Sequence, residues 1–404
     1  MHNIIVEKPY KFIPPHRGNL LPSIVQSLHV MDFYLARREG IESYEIRDID
    51  RLKETLRSGA GVLLAPNHCR YGDPLVMGWV AREIRMHLFA MASWHLFNQS
   101  QLQTFSIRML GAFSVYREGL DRQSLDTAID VLVEAKRPLI IFPEGAVFRT
   151  NDLLQPLLDG VAFLARTAAR KRQKKSEGKV VIHPVAIKYL FKGDVRATVL
   201  PVLKEIEHRL TWSNHSSSSL LERIARITLA LLSLKELEYF GRTQGGSAQQ
   251  RQARLIDHLL GPLERKWLGA EQEERLIPRI KQLRIKIVPN LTSPSTTAAQ
   301  RDELWRDLSA IYLAQQVASY PPTYLREPTT VTRVLETVER LEEDLTDRTR
   351  VHRGLHAVIQ IGEPILVSTD KPPRDQEDPI MQQLRTQLQT MLDALATEAA
   401  PFTG

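Results

Sequence analysis

A chain of 404 residues that is 43% hydrophobic and 25% charged has globular composition, with length for one large domain carrying an insertion, or for two domains. Its single cysteine, Cys69, excludes internal disulfides and a cysteine-rich zinc site, so a reducing, cytoplasmic setting is expected. A net charge of +7 points to an anionic partner: nucleic acid, a phosphorylated metabolite or an anionic membrane surface.

The opening MHNIIVEKPYKFIPPHRGN has prolines where a signal peptide would carry its apolar centre. The longest apolar run, ITLALLSL from Ile227 to Leu234, falls far short of the roughly 20 residues that span a bilayer. From Leu21, the positions Ile24, Val25, Leu28, Met31 and Leu35 follow helical spacing until Gly40, so residues 1–46 read as an N-terminal amphipathic helical segment. Its stripe reads first as core packing and second as a lipid contact.

From 47 to 204, helices alternate with short apolar runs. The helix Asp50 to Arg57 precedes the strand GVLLAP at 61–66, and the helix Pro74 to Arg85 precedes HLFAMA at 87–92. A helical stretch from Leu96 to Met109 is followed by AFSVYR at 112–117, the helix Asp121 to Lys136 and PLIIFP at 138–143. The helix Val161 to Ala169 and VVIHPVAI at 180–187 complete the run. This alternation predicts an α/β domain whose mostly parallel sheet is flanked by helices. Past Lys204, the serine run HSSSSLL at 215–221 and long charged helical stretches lead to Arg350, and Val331, Leu335, Val338, Leu341 and Leu345 keep helical spacing. Residues 205–350 therefore read as a large helical insertion, a hairpin or bundle. The strand GLHAVIQIGEPILV at 354–367 needs a sheet to join, so residues 351–404, with a final helix from Asp378 to Leu395, return to the α/β domain.

In open α/β sheets ligands bind beyond the carboxyl ends of the strands, which directs attention to three loops. In NHCRYGDP, His68 and Asp73 would lie on different faces of a continuous helix, about 500° apart, so they meet only if the segment turns. Gly72 allows a turn, and Asp73-Pro74 has the form of a helix cap followed by proline. Such a turn would put the Asp73 carboxylate on one imidazole nitrogen and leave the other to take a proton. Taken alone, the pair reads first as a solvated histidine and a cap, and a metal site with Cys69 is weaker still because no further ligand spacing completes it. In GAFSVYREG, Arg117 follows a strand and suits a phosphate, or simply faces water. In LIIFPEGAVFRTND, Glu144, Gly145 and Arg149 follow a fully apolar strand: the turn's amides can hold an anion, and Glu144 can accept from a substrate hydroxyl or pair with Arg149.

Together these segments resemble the glycerolipid acyltransferases, the family of 1-acylglycerol-3-phosphate and glycerol-3-phosphate O-acyltransferases. NHCRYGD resembles their motif of histidine, four residues and aspartate; GAFSVYR, FPEGAVFR and VIHPVAI resemble the second, third and fourth motifs, in order, between Leu63 and Lys188. GEPI at 362–365 resembles the closing strand, and the block from about 205 to 350 lies outside the resemblance. The resemblance implies that His68 is the general base and Asp73 its orienting partner, and that Arg117, Glu144, Gly145 and Arg149 bind the acceptor. It also implies a thioester donor, acyl-CoA or acyl-carrier protein, as co-substrate with no further cofactor and no metal, and a lysophospholipid or glycerol-phosphate acceptor. The expected location is cytoplasmic, peripheral on the inner face of a membrane. Where many members have threonine and serine after the motif-three glycine, this chain has Ala146 and Phe148, which leaves the acceptor open. The basic run RTAARKRQKKSEGK at 166–179 reads as a contact for lipid headgroups or CoA phosphates, or as a solvated loop. Without interleaved aromatics it does not point to nucleic acid.

Overall fold

The computed structural model describes residues 7–175, 178–210, 218–272, 275–346, 350–373 and 376–403. Two short helices, α1 (Leu20–Ser27) and α2 (Val30–Tyr34), and a π-helical turn, Leu35–Glu39, lead into β1 (Ile41–Arg47). There follow α3 (Ile49–Arg57), β2 (Gly61–Pro66), α4 (Asp73–Glu83), β3 (Phe89–Ser93), a 3-10 turn at Trp94–Asn98, α5 (Gln101–Met109) and β4 (Ala112–Val115). Next come α6 (Arg122–Glu134), β5 (Leu139–Ile140), α7 (Gly160–Lys175) and β6 (Val180–Phe191). Helices α8 (Val195–Arg209), α9 (Leu220–Phe240), α10 (Ala248–Leu268), α11 (Leu276–Leu291), α12 (Ala298–Ala318) and α13 (Val331–Thr346) precede β7 (Leu355–Ile361), β8 (Ile365–Leu366) and α14 (Pro379–Ala396).

The sheet has the order β1-β7-β6-β2-β5-β3-β4, with β8 paired to β6. Strands β6, β2, β5, β3 and β4 are mutually parallel, β7 runs antiparallel to β6, and β1 is parallel to β7. The fold is therefore α/β, with a mixed but mostly parallel sheet flanked by helices. Every residue of β2 and β6 is buried, as expected where helices cover both faces of a parallel sheet. Because the five parallel strands share one direction, the loops after β2, β5 and β4 emerge along a single edge. β6 is longer than the expected strand: β2 ends opposite Val185 at Pro66, whereas β6 continues to Phe191 alongside the loop that holds His68.

One core, containing Leu52, Val76, Leu203, Ile224, Val334 and Val338, covers one face of the sheet, and a second, containing Leu132, Leu164 and Leu388, covers the other. A third joins the end of α9 to α10, α11 and α12, from Leu232 to Ala314. Residues 205–350 thus do not form one inserted body: α8, the first half of α9, and α13 belong to the core of the sheet. Helical periodicity reports that a stripe is buried, not what it is buried against.

Several local expectations change. The single N-terminal helix is broken at His29, whose left-handed backbone (φ 52°) separates α1 from α2, while Gly40 does end the segment at φ 72°. Of the stripe read first as core, Leu21, Ile24 and Leu28 are 38%, 43% and 69% exposed, and Leu35 is fully buried. β1 arises from IESYEIR, whose charged residues suit an edge strand and mask it in the sequence. The basic run is helical through Lys175, with Ser176 and Glu177 outside the described residues, as are His215 to Ser217 of the serine run. Its arginines are committed internally: Arg166 pairs with Asp378 at 2.8 Å, Arg170 donates to the Thr369 carbonyl at 2.7 Å, and Arg172 donates to the carbonyls of Val133 and Gly59 at 2.6 and 2.7 Å. Lys174 and Lys175 remain on the surface.

Candidate active site

Residues 67–72 leave β2 as an irregular turn, and the overhanging end of β6 forms its wall. The Asn67 side chain copies a strand pairing: its Nδ2 donates to the Ile187 carbonyl at 3.0 Å and its Oδ1 accepts from the Ile187 amide at 2.7 Å. The turn brings His68 Nδ1 within 2.8 Å of Asp73 Oδ2. The same oxygen accepts the amides of Cys69 and Arg70 at 2.8 and 2.9 Å, and Oδ1 accepts the Tyr189 hydroxyl at 2.6 Å. Asp73 is fully buried, so these donors replace the water it has lost. Its side chain bonds the amides of the turn before α4 rather than those of the helix, which corrects the expectation of a cap. Gly72 sits at an ordinary φ of −76°, so no left-handed turn requires it; a Cβ there would stand 3.1 Å from Glu39 Cγ, and that side chain would have to shift to admit one.

The bond at Nδ1 orients the ring and, with Asp73 as acceptor, places the imidazole proton on Nδ1, leaving the Nε2 lone pair available. The ring stacks on Phe142 at 4.1 Å between centroids, and no described residue bonds Nε2. His68 keeps 13% of its side chain exposed, so Nε2 can meet a substrate. Cys69 is buried, its thiol pushed well above the ordinary range by burial and then by Asp73, which holds it neutral beneath the turn.

Glu144, from the loop after β5, does not face an open acceptor site. Its Oε1 accepts the His68 amide at 2.6 Å and its Oε2 the Gln155 amide at 2.9 Å, so it fixes the His68 backbone from below. Burial pushes its carboxyl up to about 8 against the pull of those two amides. Gly145 adopts φ 71°, and a Cβ there would stand 2.7 Å from Leu158 Cδ1; its amide closes the turn on the Phe142 carbonyl at 3.2 Å and is not free for an anion. Phe148, where the motif has a hydroxyl, is buried.

Arg149 does not pair with Glu144. Its Nε donates to Glu343 at 2.7 Å, its second nitrogen lies 3.7 Å from Glu339, and its guanidinium covers the Tyr71 ring at 5.2 Å. Glu339 also binds Arg70 at 2.8 Å, with both side chains nearly inaccessible. Burial alone would raise the Glu339 carboxyl, and Arg70 and Arg149 reverse this, leaving it below its ordinary value. Glu336, one turn earlier on α13, accepts the Tyr324 hydroxyl at 2.5 Å and the Asn151 amide at 3.3 Å. The face of α13 opposite its apolar stripe is therefore an acidic row laid against the loops of the site. Arg117 stands apart, exposed, with no hydrogen-bond or ion-pair partner among the described residues.

Structure thus brings His68, Asp73, Glu144 and Arg149 around one edge of the sheet and adds Tyr189, Asn67, Arg70, Phe142 and Glu339, none of which the sequence singled out. Asn67 stood in the quoted motif without a role, and Tyr189 followed an apolar strand whose expected end was too early. Arg70 and Glu339 lie 269 residues apart, and no local pattern joins them. A model of the Acyltransferase family matches residues 49–188. No curated protein matches the chain.

Two outcomes follow from this geometry. Tyr189→Phe removes one donor from Asp73 and should lower kcat about tenfold, the rate equivalent of one hydrogen bond, with KM unchanged; steady-state kinetics of the folded variant would test it, and an unchanged kcat would detach Tyr189 from the site. A Glu144 carboxyl raised from 4.5 to about 8 by folding stabilises the protein fully below pH 4.5, and that contribution is lost as pH rises through about 8. The slope is on the order of 1 kcal/mol per pH unit within the window. Thermal unfolding followed at several pH values across that window should show a steeper loss for wild type than for Glu144→Gln; equal slopes would count against a protonated Glu144.

Proposed function

We propose that the protein transfers a fatty acyl group from acyl-CoA or acyl-carrier protein to a hydroxyl of a glycerol-phosphate lipid precursor such as 1-acylglycerol-3-phosphate, a reading supported by the match of residues 49–188 to the Acyltransferase family model. The observation that carries the chemistry is the imidazole of His68, bonded through Nδ1 to Asp73 at 2.8 Å with Nε2 unclaimed. Nε2 takes the acceptor's O–H proton as the oxygen attacks the thioester carbonyl carbon. The tetrahedral species collapses, the C–S bond breaks, and the leaving thiolate takes the proton back from the imidazolium, so the products are an ester and a free thiol and His68 is neutral again. No acyl-enzyme is required. Asp73 supports the imidazolium, and Tyr189, Glu144 and the amides of the turn fix the pair so that the two substrates are brought to a pre-set base.

A second reading keeps this chemistry and changes the acceptor. It is favoured by Ala146 and Phe148, which supply no hydroxyl, and by Arg149, whose charge is already matched by Glu343 and Glu339. Purified protein incubated with labelled acyl-CoA and a panel of lysophospholipids and glycerol phosphates should yield ester, and His68→Ala should lose about 10²- to 10⁴-fold in rate. Transfer by His68→Ala at the wild-type rate would sink the assigned chemistry.

The same reading sets the protein at an anionic membrane surface. Among the described residues no helix is long and apolar enough to cross a membrane. Leu20, Ile24 and Leu28 stand at four-residue spacing along α1 and its C-terminal end and are all exposed, as is Phe33 of α2. An apolar face on a protein of charge +7 suits insertion among anionic headgroups. In a flotation assay with phosphatidylglycerol-containing vesicles, replacing Leu20, Leu28 and Phe33 by serine should weaken binding at least about tenfold; undiminished binding would assign the lipid contact elsewhere.

A further inference from the structure

The acidic row of α13 meets the site at two carboxylates that the fold uses differently. Glu339 is closed in a buried pair with Arg70 at 2.8 Å, with 3% of its side chain exposed, so it belongs to the scaffold. Glu343, one turn later, keeps 27% exposed and stands where the row reaches the surface. Its Oε2 accepts from Arg149 Nε at 2.7 Å, and its Oε1 accepts the Tyr71 hydroxyl at 3.4 Å. Tyr71 is an exposed residue of the turn that carries His68, and Arg149 lies in the loop after β5 with its guanidinium over the Tyr71 ring. One carboxylate from α13, a helix outside the matched residues 49–188, therefore ties together the two loops that border the base.

Arg149 is held in this contact by its own loop. Its backbone is left-handed, at φ 48°, and the carbonyl of the preceding residue, Phe148, accepts from Arg340, also on α13. Loop and helix thus meet at both the main chain and the guanidinium. A phosphate monoester brought to Arg149 encounters the Glu343 carboxylate beside it, and like charges at such a partly enclosed surface repel. It must also displace that carboxylate before it can bond the fork of the guanidinium. An uncharged hydroxyl headgroup faces neither obstacle. Discrimination between two ligands needs only one repulsive element placed against the unwanted one, and Glu343 stands where such an element would act.

We propose that Glu343 is a specificity-determining residue: by occupying Arg149 it sets the site against acceptors that carry a phosphate monoester and in favour of acceptors with a neutral, hydroxyl-bearing headgroup, of which a monoacylglycerol is the simplest. The inference rests on the acyl-transfer reading and develops the second of its two acceptor choices by naming the headgroup class and the residue that selects it. Glu343 touches no reacting atom and acts through Arg149 and Tyr71, leaving the His68 and Asp73 pair as it is.

The test is the ratio of kcat/KM for 1-monoacylglycerol and 1-acylglycerol-3-phosphate, measured with labelled acyl-CoA and the full-length protein in neutral detergent micelles. This ratio does not depend on how much of a variant is folded. Wild type should favour the monoacylglycerol, and Glu343→Gln should move the ratio at least about tenfold toward the phosphate acceptor, mainly through its KM. Glu343→Asp, which keeps the charge, should keep the wild-type preference. A Glu343 that only braces the loops would lower both rates together and leave the ratio where it was, which overturns the proposal, as does a wild type that prefers the phosphate acceptor. Isothermal titration with glycerol 3-phosphate gives an answer without turnover: binding should tighten in Glu343→Gln and not in Glu343→Asp, and equal binding by wild type and Glu343→Gln overturns the proposal. Tightened binding in a protein that transfers no acyl group to either acceptor would reject the acyl-transfer reading and retain Glu343 as the group that opposes phosphate.

Discussion

Four donors converge on the carboxylate of Asp73: the His68 ring, the amides of Cys69 and Arg70, and the Tyr189 hydroxyl. A fully buried carboxylate without such partners would be costly to keep, and with them it becomes the point around which the turn after β2 is folded. The cost of burial and the orientation of the His68 ring therefore have one solution. Any donor removed loosens the ring of His68, and any change in the turn exposes or strands the carboxylate.

The partners of Asp73 come from distant parts of the chain, which explains why the turn needs the rest of the fold. Tyr189 arrives because β6 runs past the end of β2, and that overhang is paired on its other side by β7. Glu144 fixes the His68 amide from the loop after β5, while Arg70 is held from α13 by Glu339. Removing one partner of so buried an ion pair costs about 3–5 kcal/mol, because the remaining charge is left without a counterion. α13 is accordingly part of the site, although its apolar stripe at Val334 and Val338 packs in the core of the sheet.

This double use of α13 separates two kinds of helix in the region after Lys204. α13 and α8 close the α/β domain, whereas α10, α11 and α12 build a core of their own and reach the sheet edge at Glu118 through Arg284. That contact leaves the His68 and Asp73 turn to the α/β domain, since the helical core meets the sheet edge there through one arginine. Glu339 and Glu343 of α13 likewise balance Arg149 within the protein.

Much of the architecture was legible because it depends on local pattern. The runs GVLLAP and VVIHPVAI are apolar at nearly every position and read as covered strands, and the residues that followed them had to lie at the carboxyl edge of a parallel sheet. β1 was hidden because an edge strand is polar where it meets water, and the break at His29 because helical spacing continues across it.

By itself the sequence determined the order of most strands and helices, the edge on which chemistry would sit, and the His68 and Asp73 spacing that only a turn could join. Tertiary structure alone decided which polar groups are already satisfied. It gave the two oxygens of Glu144 to backbone amides, matched Arg149 with carboxylates nearly two hundred residues away, and left Arg117 with no bonded partner among the described residues. Local sequence fixes what a side chain is able to bond, but the partner it meets is set by how distant segments pack, and the free charge that remains is a property of the whole fold.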